Sequence, residues 1–205
     1  MIAGLTVADL ARPTERSWAR FYDAAVIVGG SLVVALCAQV AVGFPVPITG
    51  QTFGVLMVAV LLGPRRGVLC MLTYLAEGLM GLPVFAQGKA GLVALFGPTG
   101  GYLVGFVPAA YVVGTLARCG WDRRPATTVL AMALGNVAIY ACGLAWLSVL
   151  VYFAGRPLGG RSVLAVGLYP FLVGDAVKIV LAAILLPAGW RLIRHFGFEK
   201  RTQIR

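Results

Sequence analysis

The sequence predicts an all-α integral membrane bundle of six transmembrane helices, with both termini cytoplasmic and apolar outer loops forming a lid. Three observations lead there. Of the 205 residues, 60% are hydrophobic and only 12% are charged, against about 25% charged in soluble domains. Too few polar side chains remain to clothe a water-facing surface. The apolar residues also fall into six segments between Gly, Pro and charged breakers, and the basic residues crowd alternate gaps between them.

The segments run from about Ala24 to Val42, Thr52 to Leu62, Val68 to Leu82, Gly101 to Ala117, Thr127 to Phe153 and Pro170 to Ile193. Proline in a first turn and glycine beyond an end are the expected punctuation. The second and third segments are short for a bilayer that takes about 20 helical residues to cross. A re-entrant hairpin would put Arg65 and Arg66 at membrane depth, where charge is costly, so two spans is the preferred reading. The organisation expected is a cytoplasmic segment over 1–23, a six-helix domain over 24–194 and a basic cytoplasmic tail over 195–205.

With the N-terminus inside, Arg12, Arg16, Arg20, Arg65, Arg66, Arg118, Arg123, Arg124, Arg191, Arg194, Lys200, Arg201 and Arg205 all fall on the cytoplasmic side. Lys89, Arg156 and Arg161 fall outside, and Lys178 lies within the last segment. That asymmetry is the positive-inside pattern of a multi-pass protein in the cell (inner) membrane. The net charge of +10 therefore reports topology and contact with membrane lipid, not a nucleic-acid partner.

Several functions are excluded by what the chain lacks. Its single histidine, His195, sits in the basic tail, so a histidine base or a histidine metal site is not on offer. The run Gly97-Pro98-Thr99-Gly100-Gly101-Tyr102 lacks the lysine of a nucleotide-binding loop. Uphill transport would need ATP energy from another chain. Cys37, Cys70, Cys119 and Cys142 are scattered and read as small apolar side chains rather than disulfides. No catalytic residue, metal or cofactor is expected.

The outer loops carry the first hint of a site. Residues 43–51 hold no charge and two prolines, and Leu82–Lys89 is similarly apolar. Irregular apolar backbone at a membrane survives where protein or a water-lined cavity satisfies it, which favours a lid over surface turns.

The second hint lies in the last segment. Asp175 and Lys178 are three residues apart, on one helix face, close to the outer end. A lone lysine at mid-bilayer costs about 2.5–3.5 kcal/mol. Pairing relieves that cost, yet buried pairs are often replaceable by apolar residues at no loss, so packing alone does not require one. The couple offers an acceptor for N–H groups and a cation for carboxylate or carbonyl oxygen, suited to a small acidic ligand with amide- or urea-like donors. Asn136 either joins that cavity or bonds a neighbouring helix, and Tyr140 shares its face. Glu77 reads as interfacial and solvated. Thr49 and Gln51 on the Pro-rich loop, and Gln87 with Lys89 on the next, are further candidates, although a surface lysine is the ordinary alternative for Lys89. Ala25 and Gly29 keep the spacing that lets helices approach closely, either inside the bundle or against a partner.

Four runs then make a resemblance. Gln39 with Pro45-Val46-Pro47-Ile48-Thr49-Gly50-Gln51-Thr52, Gly81-Leu82-Pro83-Val84-Phe85-Ala86, Gly97-Pro98-Thr99-Gly100-Gly101-Tyr102-Leu103-Val104-Gly105-Phe106 and Gly174-Asp175-Ala176-Val177-Lys178 together resemble the BioY family, the substrate-binding S components of energy-coupling-factor (ECF) biotin transporters. The resemblance implies a six-helix fold, an outward-open biotin pocket, no enzymatic activity, and partnership with a transmembrane coupling protein and two cytoplasmic ATPases. It implies contact of Asp175 and Lys178 with the vitamin, further polar contacts from Gln87, Lys89 and Tyr102, and apolar walls such as Phe85 and Trp146. It also raises the partner-docking reading of Ala25 and Gly29. An S component for another small vitamin, or a structural membrane protein in which the ion pair only fixes helix register, are the alternatives.

Overall fold

A computed structural model of the chain describes residues 4–43, 46–153 and 162–195. The expectations placed on Arg156, Arg161 and the tail beyond His195 lie outside these. In chain order come α1 (Val7–Ala11), α2 (Arg16–Gln39), strands β1 (Ala41–Val42) and β2 (Ile48–Thr49), α3 (Gln51–Leu79), α4 (Gly91–Leu95), α5 (Gly100–Arg118), α6 (Pro125–Phe153), α7 (Val163–Gly167) and α8 (Tyr169–His195). The strands form an antiparallel ribbon pairing Ala41 with Thr49 and Val42 with Ile48. Among the described residues, five stretches have the length and composition to cross a membrane: Arg16–Gln39, Gln51–Leu79, Gly100–Arg118, Pro125–Phe153 and Val163–His195.

The first long helix begins at Arg16, not Ala24. Its first two turns carry Arg16, Ser17, Arg20 and Asp23, polar residues that end a hydropathy segment but do not end a helix. The ribbon, α4 and α7 were not legible as elements, being too short for any periodic signal.

Within α3 the chain turns back on itself. Gly63 has φ 79° and ψ 179°, open to glycine and strained for other residues, and Pro64 is pre-set for the first turn of a new helical arm. Tyr74 of the second arm accepts a 2.7 Å hydrogen bond from Gln51 at the start of the first. A straight helix would hold those residues about 35 Å apart. A Cβ built on Gly67 would stand 3.3 Å from the Cα of Ala59, which places the arms side by side. The segments expected at 52–62 and 68–82 are thus arms 51–62 and 64–79 of one helical hairpin. The turn is tightly covered: a Cβ on Gly114 of α5 would fall 2.6 Å from Pro64 N.

α3 packs most extensively on α5 and α2, and α5 on α6. Val55, Ala59, Met71, Tyr74, Ala109, Ala110 and Val113 are completely buried between them. The flanks of α2, α6 and α8 expose Leu36, Val137, Val173 and Ile184, as lipid-facing surfaces do.

The bundle has two unlike ends. At the one holding the Gly63 turn, the N-terminal residues fold back as a clasp. Thr6 is fully buried, and its amide and hydroxyl donate to Asp9 at 2.9 and 2.8 Å. Arg66 Nη1 donates to Asp9 at 2.7 Å and its Nε to Asp23 at 2.8 Å. Arg12 grips the same Asp23 at 2.8 Å, and the Tyr22 hydroxyl donates to the Ala8 carbonyl at 3.0 Å. Nearby, Trp190 of α8 donates its indole N–H to buried Asp122, whose carboxyl burial pushes above the usual range. Arg123 lies 4.5 Å over the same indole ring.

Burial acts to raise the Asp9 carboxyl, but bonds from the Thr6 amide and Arg66 outweigh it and hold Asp9 below its ordinary range. A depressed carboxylate stabilises the fold at neutral pH and loses that contribution as pH falls through its folded pKa. Arg66→Gln is expected to cost about 1–3 kcal/mol at neutral pH, since two carboxylates lose a partner while keeping some water. The loss reads as a lower apparent Tm in detergent. Asp9→Asn lowers Tm at neutral pH too, and its gap to the wild type closes below about pH 4. A gap unchanged in acid contradicts the clasp.

Candidate functional site: a polar knot beside an apolar cleft

At the opposite end, α8, α6 and the start of α3 meet around one ammonium group. Lys178 Nζ donates to Asp175 Oδ1 at 3.1 Å, to the Thr49 carbonyl at 2.7 Å and to Thr52 Oγ1 at 2.8 Å. An ammonium has three protons, so all three are committed. Thr52 passes its own proton to Asp175 Oδ1 at 3.2 Å, and the Tyr140 hydroxyl donates to Asp175 Oδ2. The carboxylate therefore receives three donations across its two oxygens. Asp175 is 5% exposed at its side chain and Lys178 19%, which ranks them: the amine reaches the cavity and the acid stands behind it.

That cavity is an open cleft whose empty space, counting its mouth, comes to about 470 Å³. Val46, Pro47, Leu103, Phe106, Ile139 and Phe171 give it apolar walls, and Thr49, Gln51, Thr52, Thr99, Tyr102, Tyr140 and Lys178 its polar groups. Phe171 stands 6.4 Å from Tyr102 and 6.3 Å from Tyr140, ring centre to ring centre, at the separation of interacting aromatic rings. The Tyr102 hydroxyl is spent on the Gly167 carbonyl at 2.8 Å, so Tyr102 offers its ring. A second compartment shares Gln51, Thr99 and Leu103 with the first and adds Phe85, Ala86, Ala94 and Lys89. A third, small one lies past Thr52 and Lys178, where Asn136 meets Phe53, Leu56, Met132 and Ile179. The Asn136 Oδ1 is buried there without a partner among the described residues.

Of the residues singled out in the sequence, Thr49, Gln51, Tyr102, Tyr140 and Lys178 line the main cleft. Phe85 and Lys89 line its neighbour, and Asn136 the small compartment. Asp175 lines none of them and acts through Tyr140, Thr52 and Lys178. Gln87 is taken up in a bond to the Gly43 carbonyl at 3.2 Å, joining the two outer loops. Trp146, expected as an apolar wall, lines none of these three compartments: its indole donates to the Gly97 carbonyl at 2.9 Å and its ring lies 6.3 Å from that of Phe96, fixing α6 to the approach to α5. Glu77 is not free in solvent either; Ser31 donates to its Oε1 at 2.8 Å, and its Oε2 is buried. Ala25 and Gly29 lie exposed on α2, with no neighbour within 4 Å of a Cβ at Gly29.

Thr52, Thr99, Leu103, Phe106, Ile139 and Phe171 were not anticipated. The apolar members look like any bundle residue, and Thr52 acquires its role only when α3 packs on α8. The site pairs hydrogen-bonding groups with apolar walls. Among the described residues no three His, Cys, Asp or Glu side chains group as metal ligands do.

A helical multi-pass membrane protein of this shape has a solved counterpart. The crystal structure described as the S-component for biotin from an ECF-type ABC transporter superposes with a TM-score of 0.69 over 91% of this chain and 98% of that one, at 24% identity; the two share a fold. The model described as the BioY family matches residues 12–195. The biotin transporter BioY of Thermotoga maritima is 37% identical over 168 residues, 82% of this chain and 90% of its own. That of Rhizobium etli is 37% identical over 170 residues, 79% and 86% respectively. The chain belongs to the BioY family.

The knot predicts a characteristic pattern of stability. Lys178→Met strands a buried carboxylate and is expected to cost about 3–5 kcal/mol, seen as a large fall in apparent Tm. Adding Asp175→Asn recovers much of it, because the uncompensated charge is gone. Equal losses in the single and double variants contradict the arrangement.

Proposed function

We propose that this chain is the biotin-binding S component of an ECF transporter, taking the vitamin from outside and delivering it inward with energy from partner ATPases. One observation carries the reading: a saturated acid–amine–hydroxyl knot opens on one side into a ring-lined cleft. A bicyclic ureido compound with an apolar ring and an acidic tail matches that surface. Family membership and the names of the relatives support the same substrate.

In this reading α2, the two arms of α3, α5, α6 and α8 make six crossings of the cell's inner membrane. The end bearing Arg16, Arg65, Arg66, Arg118 and Arg191 faces the cytoplasm, and the cleft opens outward beneath the ribbon and the stretch Gly81–Leu95 as its lid. The ureido head lies toward Thr52, Tyr140 and Lys178, with Asp175 accepting its N–H directly or through Tyr140. The carboxylate lies toward Lys89, in the compartment reached past Gln51 and Thr99. The open face of Ala25 and Gly29 on α2 suits the coupling protein, and the two ATPases join through it.

Titration calorimetry of the detergent-purified protein is expected to show saturable heat with biotin. Affinity falls as the pH drops below about 4–5, where the ligand carboxylate takes up a proton. Biotin methyl ester binds more weakly than biotin, and Lys89→Met erases that difference. Heat with another vitamin but none with biotin overturns the substrate, and no heat with either overturns the function.

A further inference from the structure

Tyr74 sits in the second arm of α3, fully buried, and lines neither compartment. Its ring meets Phe85 edge-on at 5.5 Å and Phe106 at 6.5 Å, so a phenyl ring would fill the same space. The hydroxyl is additional to that packing, and its bonds are specific. It accepts from Gln51 Nε2 at 2.7 Å and donates to the Val84 carbonyl at 2.9 Å. Gln51 is 5% exposed and in turn accepts from the Thr49 hydroxyl at 3.1 Å. Thr49 is the residue whose carbonyl holds Lys178. On the other side, Val84 adjoins Phe85, and Phe85 and Lys89 close a loop through a backbone bond of 3.0 Å.

One phenolic oxygen thus ties both edges of the cleft together. Through Gln51 and Thr49 it reaches the ribbon and the Lys178 knot; through Val84 it reaches the loop that carries Lys89. Gln51 faces both compartments and hangs on this hydroxyl, and an amide with free rotation would aim its donor and acceptor at random. We propose that Tyr74 is a positioning residue for ligand binding: its hydroxyl aims Gln51 into the neck between the two compartments and sets the distance between them. Gln39 holds the same loop independently, donating toward the Pro83 and Phe85 carbonyls at 3.4 Å. Loss of the Tyr74 hydroxyl therefore loosens the loop without releasing it.

The proposal rests on the cleft being the biotin site, and the experiment separates the two. Biotin affinity is measured by calorimetry, with apparent Tm alongside, for the wild type, Tyr74→Phe, Gln51→Met and the double variant. Tyr74→Phe is expected to weaken biotin binding about tenfold, the size of one lost buried hydrogen bond, at a Tm close to the wild type's. Gln51→Met weakens it by a similar factor, and the double variant is no worse than Gln51→Met alone, because the two act as one unit. That non-additivity is what a purely structural tyrosine would not produce. Wild-type affinity in either single variant, or losses that multiply in the double, overturn the assignment of Tyr74 while leaving the site intact. Absence of biotin binding in the wild type overturns the reading of the site itself.

Discussion

A primary amine inside a membrane protein must have every proton satisfied or be driven to the interface, and the structure around Lys178 is organised by that requirement. Its three bonds run to three different places: its own helix, the first turn of α3 and the backbone of the ribbon. Satisfying the ammonium therefore also fixes α8 against α3 and pins the loop above the cleft. A ligand that engages Lys178 has to take over one of those bonds. Such an exchange gains little net energy, because one acceptor of the ammonium replaces another. That property suits a site meant to release as well as to hold, and it leaves the apolar walls to supply most of the affinity.

The helical hairpin makes room for this arrangement. Arms 51–62 and 64–79 are about 18 and 24 Å long at the usual rise, each shorter than a hydrocarbon core of about 30 Å. The shortfall at the site end is filled by the ribbon and the irregular stretch after Leu79. Non-helical backbone there is tolerable because it lies against protein and a polar cavity, not lipid. At the other end the Gly63 turn is sealed by Gly114 and by the Thr6–Arg12 clasp. Arg66 thereby sits between Asp9 and Asp23, and Arg65 is exposed beside it.

How much of this could be seen in the sequence follows from the range of each interaction. Long apolar segments with Pro and Gly at their borders are local signals, and α5, α6 and α8 were legible nearly to the residue. So was the Asp175–Lys178 pair, since one helical turn separates its members and few charges stand within such a segment. Asp175 ranking behind Lys178 was not legible: it depends on Tyr140 arriving from α6. Trp146 was expected as a wall only through the resemblance, and its bond to the Gly97 carbonyl is a contact that no local pattern announces. Thr52 and Tyr74 act only across the packed hairpin, at sequence separations that no local pattern encodes. The clasp was hidden for another reason, its polar residues having the composition of an ordinary solvated segment.

The central claim is that the Lys178 knot is an exchangeable part of a ligand site. The most direct measurement is an experimental structure of the protein with biotin bound, at a resolution that places side chains. The account predicts a ligand polar atom within hydrogen-bond distance of Lys178 Nζ or Tyr140 Oη, with at least one of the present bonds to Thr49, Thr52 or Asp175 given up. Biotin seated elsewhere, with all of those bonds intact and the cleft empty, would contradict it.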